Sequence, residues 1–84
     1  MVFKLAFQSQ GKDEYDGKRG HVVQWLAKFL DAEGKMEKVF RVRCKDDKPI
    51  DAKPGDVFNC DATDFFVNFN GSVTLRGDLV KLGK

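Results

Sequence analysis

The run Asp64-Phe65-Phe66-Val67-Asn68-Phe69-Asn70-Gly71-Ser72-Val73-Thr74-Leu75-Arg76-Gly77-Asp78-Leu79-Val80-Lys81-Leu82 decides the fold. Asn70-Gly71 separates two segments rich in aromatic and β-branched residues. Both loop residues tolerate positive φ, so the pattern predicts a β-hairpin closed by a two-residue type I′ turn. That turn pairs Phe69 with Ser72, Asn68 with Val73, Val67 with Thr74 and Phe66 with Leu75. Alternation then puts Phe66, Val73 and Leu75 on a core face. The other face carries Phe65, Val67, Phe69, Ser72, Thr74 and Arg76. A face mixing aromatics, hydroxyls and an arginine needs a partner, either a protein surface or a flat, negatively charged ligand.

The remaining sequence sets bounds on that partner. The chain has 84 residues, so residues 1–84 form one small domain with a modest core. Chains of this size are often helped by disulfides, metal or oligomerisation. Two cysteines without a CxxC pair, and one histidine, make neither a zinc site nor a disulfide framework. Cys44 and Cys60 fall on apolar strand faces and read as reduced, buried thiols of a cytoplasmic protein. Oligomerisation is the expected supplement. No apolar run approaches a membrane span and no signal-peptide core opens the sequence, so no membrane partner is expected. A net charge of +2 is too small to argue nucleic-acid binding by itself. The placement of the cations must carry that argument.

Taken in order, Val2 to Gln8 alternates, with Phe3, Leu5 and Phe7 on the buried side. Gln10 to Gly20 reads as a long, flexible hairpin loop with Tyr15 its only large ring. His21 to Leu30 fits either an amphipathic helix or a strand, and its place between two hairpin signals favours strand. Trp25 is assigned to the core. Lys38 to Lys45 alternates strongly, with Phe40, Val42 and Cys44 inward and Val39, Arg41, Arg43 and Lys45 outward. Asp46 to Ala52 is a polar connection. Pro54-Gly55 marks a turn before Val57 to Ala62, where Phe58, Cys60 and Ala62 face inward, and Leu79 to Leu82 is the terminal strand. About five to seven short strands between Gly- and Pro-marked turns suit an all-β, closed or nearly closed small barrel.

No enzyme is legible. Asp13, Glu14 and Asp16, and likewise Asp46 and Asp47, read as solvated loop charges beside lysines. His21 has no serine or cysteine partner by motif, and Gly17-Lys18-Arg19-Gly20 lacks the strand-to-helix setting of a phosphate loop. No catalytic residue, metal or cofactor is assigned. Three features do suit single-stranded nucleic acid, which is held by a basic groove and aromatic stacking platforms at about 1–3 kcal/mol per base. They are Arg41, Arg43 and Lys45 on one strand face, the loop bearing Lys12, Tyr15, Lys18 and Arg19, and Phe69 beside the turn. The alternative for the basic face is plain solvation. For Phe65 and Phe69 it is a subunit interface.

With these residues the chain resembles the single-stranded DNA-binding proteins of filamentous bacteriophages, the gene V protein family. The likeness is carried by Pro54-Gly55, by Asp64 to Val73 with its phenylalanine just before Asn70-Gly71, and by the closing Leu79-Val80-Lys81-Leu82. Gly17-Lys18 resembles the Gly-Lys of the family's DNA-binding wing, and Phe29-Leu30-Asp31 a run that follows it. Arg41-Val42-Arg43 falls where the family has a basic residue. The chain departs at Arg19-Gly20-His21, where the family has an aromatic after Gly-Lys. The resemblance implies a five-stranded antiparallel OB-like barrel with protruding hairpins, forming a two-fold dimer that coats viral single-stranded DNA cooperatively. The implied contacts to DNA, or to RNA by the same chemistry, are Tyr15, Lys18, Arg19, His21, Phe29, Arg41, Arg43 and Phe69. The implied dimer interface holds Phe65, Val67 and Arg76. The competing reading is a small SH3-like or OB-like protein-interaction module without a nucleic-acid ligand.

Overall fold

The structure is a computed structural model and describes residues 2–44 and 48–82. Five strands form among them: β1 (Val2–Gly17), β2 (Gly20–Asp31), β3 (Val39–Arg43), β4 (Val57–Val67) and β5 (Val73–Lys81). They make one sheet whose hydrogen-bonded order, β1-β2-β3-β5-β4, returns to β1. The all-β expectation therefore holds, but the purely antiparallel one does not. β3 runs parallel to β5 through Phe40–Val73, Arg41–Thr74 and Val42–Leu75. The reason is parity. Direction cannot alternate all round a closed ring of five strands, so one seam is parallel.

His21 to Leu30 lies within β2 and is strand, as its flanking hairpin signals suggest. Gln10 to Gly17 is strand too, and not a flexible loop. β1 pairs with β2 from Leu5–Asp31 up to Gly17–Gly20, with one irregularity between Phe7 and Ser9. Lys18 and Arg19 alone form the tip, and Gly20 takes φ 118° there. The charged half of β1 has low strand propensity, but its partners Val22, Val23 and Trp25 supply what it lacks. The upper part of this hairpin reaches past the other strands as a two-stranded arm, because β1 pairs with β4 only over Val2 to Ala6.

The β4–β5 hairpin corrects the expected register. Its loop has three residues, Phe69 to Gly71: Gly71 N–H donates to the Asn68 carbonyl at 3.0 Å and Asn68 N–H to the Ser72 carbonyl at 2.8 Å. Gly71 takes φ 86°, the left-handed closing residue of such a loop. The ladder pairs Val67 with Val73, Phe66 with Thr74, Phe65 with Leu75 and Asp64 with Arg76. A shift of one residue exchanges faces. Phe65 and Val67 thus lie on the inner side with Val73 and Leu75, and Phe66 lies outside with Thr74 and Arg76. A bulge between Ala62 and Asp64 makes the switch, since unbroken alternation from Phe58, Cys60 and Ala62 would have carried Phe66 inward. Gly77 stands opposite Ala62, and a Cβ there would run into the Asp61 carbonyl.

Phe29, Phe40, Leu5, Leu75, Val42, Cys44 and Cys60 fill the interior, with Trp25 and Phe3 packed at its margins. Phe7, Phe29 and Phe58 form a ring cluster with centroids 5.6 Å (Phe7–Phe29), 5.6 Å (Phe29–Phe58) and 6.5 Å (Phe7–Phe58) apart. Such pairs add about 0.5–1.5 kcal/mol each beyond area burial. Neither cysteine is in a disulfide and both are buried, and burial pushes the Cys60 thiol up, with Asp61 and Asp78 adding to the shift. After β2, the Asp31 carboxylate accepts the backbone N–H groups of Glu33 at 3.0 Å and of Lys35 and Met36 at 2.9 Å each. Those bonds, that from Glu33 foremost, hold its pKa below the ordinary carboxylate range. The turn so fixed delivers Lys38 to the start of β3. Lys45, Asp46 and Asp47, named above for the basic face and the acidic pair, lie outside the described residues, as does the terminal Lys84. No helix of the described residues is long and apolar enough to cross a membrane.

Candidate nucleic-acid interface

Directly paired residues point to the same side of a sheet. Ser9 pairs with Lys28, Lys28 with Arg41, Arg41 with Thr74 and Thr74 with Phe66, so these side chains form one row across all five strands. Ala27, Phe29, Phe40, Val42, Val73 and Leu75 flank the row in sequence and are buried, so the row faces outward. Its centre is basic and one end is aromatic. Arg43, opposite Leu26, stands one step further along the same face.

Two grooves meet on this row. The larger, about 580 Å³, is lined by Lys28, Glu37, Lys38, Val39, Arg41 and the Asn70–Ser72 turn. The smaller, about 190 Å³, runs from Lys28 and Arg41 to Gly11, Lys12 and Asp13 at the base of the arm. Lys28 and Arg41 line both. The Arg41 guanidinium lies 3.8 Å from the Asp13 carboxylate, and its buried Nε has no hydrogen-bond partner.

The aromatic end is held in place by side-chain bonds. The Asn68 amide donates to Ser72 Oγ at 2.9 Å and to Thr74 Oγ1 at 2.8 Å. Asn70 Oδ1 accepts from the Ser72 N–H at 3.0 Å and the Ser72 hydroxyl at 2.7 Å. The fixed turn leaves the Phe69 ring wholly in solvent, at 113% relative exposure. Phe66 is 44% exposed, with the Arg76 guanidinium 5.2 Å from its ring centroid.

The residues expected at the site divide accordingly. Arg41 and Arg43 lie on the outward face, Phe69 at the hairpin tip beside it, and Tyr15 further up the arm on the same side as Asp13. Lys18 and Arg19 cap the arm, away from the row. His21 is on the arm's opposite side, 3.1 Å from Asp16. Phe29 is fully buried in the ring cluster, so no ligand reaches it. Its neighbour Lys28 is exposed instead. The expected interface trio also divides: Phe65 and Val67 lie on the inner side, Phe65 edge-on to Phe3 at 6.4 Å, while Arg76 is outside over Phe66.

Sequence reasoning missed Lys28, Lys38 and Phe66, while Thr74 was already expected on the partner-facing side of the hairpin. Lys28 was within reach, because the alternation of Trp25, Ala27 and Phe29 already turns it outward. Phe66 was hidden behind the bulge. No protein-family model, curated protein or solved structure matches this chain.

Proposed function

We propose that this protein binds single-stranded DNA without catalysis and with little regard to sequence. The observation that carries the reading is the outward row in which Lys28 and Arg41 stand side by side, flanked by Thr74 and Phe66. Cations spaced along a groove meet successive phosphates, and Phe66 and Phe69 offer faces on which bases stack. A five-stranded closed sheet that presents its β2–β3 face, its first hairpin and its β4–β5 loop is the OB-type arrangement for oligonucleotides. Resemblance to the filamentous-phage proteins extends the proposal to coating of viral DNA during replication, in a host cytoplasm where the two buried thiols stay reduced.

The reading includes a homodimer. Phe65 (49% exposed) and Val67 (65%) lie where β4 runs past its last pairing with β1. An isologous contact buries such an end against its own copy. The same end would serve a protein-interaction module with no nucleic-acid ligand.

Titrating fluorescent oligo(dT), and a duplex of equal length, at low salt tests the proposal. Preferential binding of the single strand by a species of dimer mass in light scattering is expected. No binding of oligo(dT), with Phe65 and Val67 capturing a different protein, would favour the interaction module.

A further inference from the structure

We infer that Asp13 is an internal competitor for the nucleic-acid phosphate, holding Arg41 in the free protein and giving it up when a strand arrives. The inference rests on the nucleic-acid reading above. Lys28 and Arg41 are directly paired like charges, an arrangement that destabilises a sheet unless an anion lies nearby. Asp13 is that anion. Its carboxylate reaches Arg41 from β1, over Leu26, at 3.8 Å.

The contact is loose. At 3.8 Å, with the Arg41 and Asp13 side chains 27% and 40% exposed, it is a longer and weaker pairing than a two-pronged guanidinium–carboxylate bond. The Arg41 side chain, 27% exposed, also lines a groove shared with Lys28, Lys38 and Glu37, in which the cations outnumber the one carboxylate. A phosphodiester entering from that groove offers more acceptor oxygens to the same cation, and Lys28 holds it from the other side. Asp13 remains at the groove's end as a fixed negative charge that the phosphate must displace. It therefore lowers affinity for every strand alike, and it discriminates against ligands too weakly charged to compete for Arg41.

Oligo(dT) binding by Asp13→Asn at several salt concentrations, with and without Arg41→Ala, decides this. In the otherwise unchanged protein, Asp13→Asn should tighten binding roughly threefold to tenfold at low salt, the scale of one partly screened charge contact. The slope of log affinity against log salt should steepen by about 0.7, one further phosphate neutralised. In the Arg41→Ala background the gain should vanish. Glu14→Gln, the same charge change on the arm's other side, should leave affinity within about twofold. An equal gain with and without Arg41, or an equal gain from Glu14→Gln, would show a general field effect and overturn the inference. Weaker binding by Asp13→Asn would instead make Asp13 a support for Arg41. If neither wild type nor Asp13→Asn binds oligo(dT) at any salt, the nucleic-acid reading itself falls.

Discussion

Lys28 and Arg41 face each other directly across the β2–β3 ladder, both on the outer side of the closed sheet. Like charges so placed repel, and neighbouring strands leave them only about 5 Å apart at the backbone. Asp13, 3.8 Å from Arg41, offsets part of that repulsion from within the fold, and an anion drawn to the pair would offset more. On the function proposed above, the pair, with the groove toward Lys38 and the hairpin tip at Phe69, is where a phosphate backbone would lie.

Removing either cation should weaken binding uniformly across sequences. Lys28→Ala and Arg41→Ala should each flatten the salt dependence of affinity for single strands by about 0.7 in log–log slope. Melting temperatures should change little, because partly exposed cations add little to stability. Fluorescence anisotropy over a salt series measures this. A full slope retained in both variants would move the ligand elsewhere.

The hairpin aromatics should act on binding and not on the core. Phe66→Ala and Phe69→Ala should each cost about 1–3 kcal/mol of affinity for single-stranded DNA. Thermal unfolding should show only small losses, since the Arg76 contact over Phe66 is worth about 0.5–1 kcal/mol at an exposed site. Phe29→Ala, by contrast, should cost about 3–5 kcal/mol of stability. Large thermal losses in both hairpin variants would contradict the register.

How far this could be read in the sequence depended on whether alternation ran unbroken. It did along Val39 to Arg43, and the inward Phe40 and Val42 with outward Arg41 and Arg43 emerged as expected. Between Ala62 and Asp64 it did not. The bulge has no mark of its own in β4, and Gly77 across the ladder was its only trace. Asn70-Gly71 was equally suited to the two-residue loop, and only the Asn68–Ser72 bonds show that Phe69 joins the turn. Phe29 alternates with Ala27 and so belongs to the buried face, a signal stronger than the likeness of Phe29-Leu30-Asp31 to a run near the family's wing.

Gly77 should therefore resist substitution. Gly77→Ala drives a Cβ into the Asp61 carbonyl, which is backbone and has little room to shift. Overpacking of this kind costs about 1–3 kcal/mol. In a domain of this size each kcal/mol lowers the melting temperature by about 4–8 °C, which calorimetry would register. An unchanged melting temperature would mean the bulge relaxes freely.

Acid should act through the Asp31 turn. Backbone N–H bonds, that of Glu33 foremost, hold the Asp31 carboxyl below its ordinary 3.8 in the folded state. A lowered folded pKa gives stability that is complete above the unfolded value and is lost as pH falls through the folded one. Asp31→Asn should thus melt below wild type at neutral pH. The gap should close progressively below pH 3.8. A gap independent of pH would assign the effect to side-chain geometry and not to charge.

The most direct test of the binding face is to follow the backbone amide resonances while oligo(dT) is added. The account predicts that shifts concentrate on Lys28, Arg41, Thr74 and Phe66, extend to Phe69 and Lys38, and spare the Asp61–Asp78 side of the β4–β5 ladder. Shifts centred on Asp61, Asp78 and Val80, with the Lys28–Arg41 row silent, would contradict it.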